Sequence, residues 1–88
     1  MKNQNKSLKQ QSHHLEPVVL LGNKGLTPSV HAEIATALEA HELIKIKLSS
    51  KEKSTKEALA AEICVHHEAE LVNQIGHVIT IYKKRETD

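Results

Sequence analysis

Pro17-Val18-Val19-Leu20-Leu21-Gly22-Asn23-Lys24-Gly25-Leu26-Thr27-Pro28 is the stretch from which the rest of this sequence is read. A short apolar, partly β-branched run opened by proline and closed by glycine reads as a strand buried on both faces, with the proline at its first position. Thr27 is a good N-cap and Pro28 suits a first helical turn, where its missing N–H costs nothing. A strand, a four-residue loop and a capped helix therefore follow one another within twelve residues.

Working outward, Val30, Ile34, Ala37, Leu38 and His41 recur at helical spacing and predict an amphipathic helix to about Glu42. Leu43 to Leu48 alternates, with Ile44, Ile46 and Leu48 on one side and Lys45 and Lys47 on the other, as a half-buried strand does. Ser49 with Glu52, and Ser54 with Glu57, offer two capping-box starts for a second helix, and the pattern does not choose between them. Its apolar stripe is Leu59, Ala60, Ile63, Cys64 and His67, and it ends near Ala69. Glu70 to Ile75 and Val78 to Lys83 are strand-like runs joined by Gly76-His77, a pair suited to a type II′ hairpin. On the N-terminal side, Leu8 and Leu15 anchor a short helix after a frayed tail. The order α-β-α-β-α-β-β gives an α/β two-layer sandwich: a four-stranded mixed sheet with helices on one face.

At 88 residues the chain makes one domain, with residues 1–5 and 84–88 as tails, because a chain this short cannot bury two cores. The 39% hydrophobic content includes one tyrosine, Tyr82, and no Phe or Trp, so the core is aliphatic. A single cysteine, Cys64, excludes an internal disulfide framework. No stretch approaches the roughly 20 apolar residues that span a bilayer, and residues 1–11 lack the apolar centre of a signal peptide. No membrane partner and a cytoplasmic location are expected.

The formal charge of +1 argues at first sight against an acidic partner, but it is a cancellation between blocks. Residues 1–14 carry +3, 15–42 carry −3, 43–56 carry +4, 57–70 carry −4 and 71–88 carry +1. Lysines thus gather on the N-terminal segment, on the polar face of one strand as Lys45 and Lys47, and just after it as Lys51, Lys53 and Lys56. Such a set suits a phosphate-tracking patch, although lysines on a wet strand face also serve solubility alone. Gly22-Asn23-Lys24-Gly25 adds a second signal. Two glycines three apart let a backbone approach closely, the following helix start offers N–H groups and a positive dipole end, and Lys24 adds a charge. A GxxG loop of this kind clamps nucleic-acid backbone in KH-type domains, while two glycines alone more often mark only a turn.

Seven histidines invite a metal reading, notably Cys64 with His67 on one helix stripe and the pairs His13-His14 and His66-His67. Two ligands do not make a site, and no second cluster stands at zinc-finger spacing, so no metal is expected and Cys64 and His67 are placed at the helix–sheet interface. The histidines are instead read as a charge reserve: protonating all seven takes +1 to +8 and strengthens anion binding below neutral pH. Neither a serine elbow, a Walker loop nor an acidic metal cluster is present, so no enzyme, no cofactor and no small-molecule substrate are expected. One tyrosine excludes an aromatic stacking platform, leaving backbone and shape as the means of holding a nucleic acid.

Leu15-Glu16-Pro17-Val18-Val19-Leu20-Leu21-Gly22-Asn23-Lys24-Gly25-Leu26-Thr27, together with His41-Glu42-Leu43-Ile44-Lys45-Ile46-Lys47 and Ile75-Gly76-His77-Val78, resembles the CRM domain (chloroplast RNA splicing and ribosome maturation) in its stand-alone bacterial, YhbY-like form. The resemblance covers about Leu8 to Lys84. It implies a fold similar to the C-terminal domain of translation initiation factor three, and an RNA-binding protein associated with precursors of the large (50S) ribosomal subunit. Carried over by position, Gly22, Asn23, Lys24 and Gly25 become the RNA-contact loop, with Lys45 and Lys47 supporting; the lysine blocks themselves add Lys9, Lys51 and Lys53 as extensions of the path. The sequence departs from the family pattern at Glu16, where a basic residue is usual, in the loop lysine, which sits second rather than first, and at Glu68, where a helix-ending glycine is usual. A monomer bound to ribosomal RNA is the leading expectation. A protein-interaction or regulatory module on the ribosome, meeting a charged protein surface, stays open beside it.

Overall fold

The computed structural model describes residues 10–22, 24–49 and 52–84. Along them run β1 (Pro17–Leu21), α1 (Pro28–His41), β2 (Leu43–Leu48), α2 (Lys53–His67), β3 (Glu70–Ile75) and β4 (Val78–Tyr82). Residues 10–12 are helical and 13–14 form a turn, so the expected N-terminal helix stops short of Leu15, and its part before residue 10 lies outside the described residues.

The four strands form one mixed sheet in the order β1-β2-β4-β3. β1 and β2 are parallel because α1 carries the chain back between them, whereas the hairpin makes β3 and β4 antiparallel and inserts β4 beside β2. In that hairpin Gly76 takes φ +58° while His77 stays out of the positive-φ region, as the expected type II′ turn requires. The main core lies on one face, where Val19, Leu21, Ile44, Ile46, Leu48, Ile79 and Ile81 of the sheet meet Ile34 and Leu38 of α1 and Ala60 and Ile63 of α2. No helix among the described residues is long and apolar enough to cross a membrane.

The pairing registers define the opposite face row by row. Leu20, Lys47, Val78 and Ile75 form one row, and Lys45, Thr80 and Asn73 the next. Beyond them Leu43, Tyr82 and Glu70 line up, and there Leu15 packs on a small second cluster of Leu43 and Val72. Val72 joins that cluster at the register shift between Leu71 and Asn73, where one extra residue breaks the two-residue alternation. The N-terminal segment thus touches the face that α1 and α2 leave open.

Three expectations change. β1 is an edge strand wet on one face, with Val18 and Leu20 53% and 65% exposed, because its helices cover only the other side. Neither serine starts α2: its N-cap is Glu52, which makes no side-chain cap bond and whose carboxylate instead accepts from the Thr55 hydroxyl at 3.0 Å. His41, placed on the apolar stripe of α1, is exposed.

Candidate functional site

The loop after β1 closes through the Gly25 N–H donating to the Gly22 carbonyl at 3.1 Å. Gly25 has φ +76°, a conformation in which a side chain would be strained. Gly22 has no such need, and a Cβ there would meet nothing within 4 Å, so the space beside it is open to something outside the protein. Thr27 then caps α1 as expected, its hydroxyl accepting from the Val30 N–H at 3.2 Å. The positive end of the α1 dipole follows directly behind the loop.

Parallel pairing brings the charged segments to one end of the sheet. Leu21 lies opposite Leu48, so the glycine loop and the segment leading to Lys53 leave neighbouring strands at the same edge. The hairpin turn reaches that edge too, since the Leu48 N–H donates to the His77 carbonyl at 2.6 Å. Lys24 and Lys53 are exposed, and Lys47, next to Leu20 in register, is exposed on the open face just inside the edge. Lys45 is half-buried one row further in, where it lines a hollow of about 210 Å³ with Ser12, His13, Pro17, Asn73, Ile75, Val78 and Thr80. The buried Thr80 hydroxyl finds no hydrogen-bond partner among the described residues. Lys56 is committed, its ammonium donating to the Gly76 carbonyl at 3.0 Å and tying α2 to the hairpin. Lys9, Asn23 and Lys51 lie outside the described residues.

Sequence reasoning missed the apolar side chains that share the open face with these lysines. Val18, Leu20 and Ile75, the last 68% exposed, flank the lysine rows. A four-residue apolar run carries no period from which its wet side could be found.

The histidines also divide. His67 is buried, and its pKa is pushed down to about 4 by that burial first, then by His66, His31 and Lys83. It therefore stays neutral through the range in which the seven were read as a charge reserve, and that expectation does not hold for it. Cys64, half-buried against the core, has its thiol pushed up by burial and by the charge of Glu70, so it is a poor nucleophile. The ring that meets His67 belongs to His31 of α1.

A family model described as CRS1 / YhbY (CRM) domain matches residues 1–83. An RNA-binding protein of Haemophilus influenzae is 43% identical over 83 residues, covering 94% of this chain and 84% of that protein. A protein of Pseudomonas aeruginosa named a probable RNA-binding protein is 42% identical over 81 residues, covering 92% and 78%. The solution structure of a hypothetical protein from Staphylococcus aureus superposes with a TM-score of 0.86 at 27% identity, covering 100% of this chain and 92% of that one.

Proposed function

This chain belongs to the CRS1 / YhbY (CRM) domain family, and from that premise we propose that it is an RNA-binding protein that holds ribosomal RNA in precursors of the large ribosomal subunit and assists their assembly. It works by contact, without catalysis, as a cytoplasmic monomer. Lys24 and the loop amides grip phosphates, and Lys47, Lys45 and Lys53 continue the path, with Lys9, Asn23 and Lys51 as further contacts.

The observation that carries this reading is the convergence at one end of the sheet of the open glycine loop, the start of α1, Lys47 of β2 and the segment leading to Lys53. Backbone N–H groups at a helix start and lysines that track phosphate are the means of binding left to a surface with one aromatic side chain. The measurement is the affinity of the chain for large-subunit ribosomal RNA fragments. Lys24→Glu should weaken it by about tenfold or more, as for a lost charge-assisted contact, and Lys45→Glu with Lys47→Glu should abolish it, both with an unchanged circular dichroism spectrum. Undiminished affinity in the double variant would remove the sheet face from the site.

A second reading is favoured by exposed Val18, Leu20 and Ile75, which suit contact with a ribosomal protein more than with phosphate. Failure to bind purified RNA together with co-sedimentation with assembled particles would select it.

A further inference from the structure

His31 of α1 and His66 and His67, the last two residues of α2, bring their rings together between the two helices. Nδ1 of His31 lies 3.0 Å from Nε2 of His67. The His31 ring stacks on that of His66, with centroids 3.8 Å apart and 21° between planes, and His66 meets His67 edge-on at 4.8 Å. One ring nitrogen of each falls within 4.8 Å of the other two. Burial is graded: His67 is buried, His31 half-buried and His66 exposed, so the group opens to solvent on one side.

Imidazole nitrogens bind zinc at about 2.0–2.1 Å, which sets neighbouring ligands of a tetrahedral ion about 3.3 Å apart. The His31–His67 pair already stands near that spacing, and an ion there would take the place of their mutual hydrogen bond. His66, exposed and stacked on His31, would have to turn out of that stack to bring a nitrogen to the same point. We propose that His31, His66 and His67 form a binding site for a first-row divalent metal ion of the zinc class, which links α1 to α2 and leaves its fourth position to solvent. Three imidazoles with an open position are a recognised zinc donor set, and imidazole also suits copper and nickel. Lys83, whose charge reaches His67, opposes the ion and lowers its affinity.

The test uses the full, untagged chain freed of metal by a chelator and titrated with zinc chloride by calorimetry, with cobalt(II) absorption reporting geometry. The expected result is one zinc per chain, a tetrahedral cobalt spectrum and a raised melting temperature. His31→Ala and the exposed His66→Ala should each weaken zinc binding by at least about tenfold, whereas Lys83→Gln should tighten it. His13→Ala with His14→Ala should leave it unchanged. The proposal is overturned by absence of saturable binding, by binding that survives His31→Ala with His66→Ala, or by binding that vanishes when His13 and His14 are replaced.

Discussion

Glu68 shows how much a single backbone conformation can ask of a residue. It ends α2 in the left-handed region, at φ 55° and ψ 41°, with its N–H turned back to the Cys64 and Val65 carbonyls, while the Ala69 N–H also reaches the Cys64 carbonyl at 2.9 Å. Glycine would take this helix-ending conformation without strain, whereas a Cβ in that region costs about 1 kcal/mol or more. Glu68→Gly should therefore stabilise the chain by about 1 kcal/mol in urea denaturation and leave RNA binding unchanged. A loss of stability would mean that the Glu68 side chain contributes more than its backbone costs. Neighbouring His67 makes a different point at the same scale. Its helical spacing placed it inward, as observed, but the ring waiting there lies 36 residues away in sequence.

Among the elements, β2 is the one on which the others converge, pairing with β1 on one side and β4 on the other. Ile46 at its centre is fully buried, and its neighbours in register are Val19 and Ile79, both core residues. Ile46→Ala should cost about 2–5 kcal/mol, because the two flanking strands and the helices above them cannot all close on the space left behind. In a domain of this size that corresponds to a fall in melting temperature of roughly 4–8 °C per kcal/mol, readable by calorimetry. β1 was legible as a strand but not as an edge, since edge position depends on where β4 inserts. The start of α2 was legible only to within a few residues: two serines with capping-box spacing competed, and Glu52 took the position without making a side-chain cap bond.

For the whole molecule, net charge is a poor guide to the partner, because the fold separates blocks that the total cancels. Lys24, Lys47 and Lys53 are exposed, and Lys45 is half-buried one row further in than Lys47. If these four contact phosphates, the logarithm of RNA affinity should fall with the logarithm of salt concentration at a slope of about −3 to −4. Lys47→Glu should make that slope shallower by about 1. A flat salt dependence would instead point to the apolar side chains of the open face as the contact surface.

Local pattern determined which segments are helix or strand, the Thr27 cap, the hairpin at Gly76 and an aliphatic core, because turn chemistry, capping and periodicity act over a few neighbouring residues. The glycine loop and the lysines of β2 were legible for the same reason. Only the tertiary structure decided that Val18 and Leu20 face solvent, that Leu15 closes a second cluster on the far side of the sheet, and that His31 meets His66 and His67. Each of these depends on which distant segment packs against a given face, and that follows from strand order and register rather than from any local spacing.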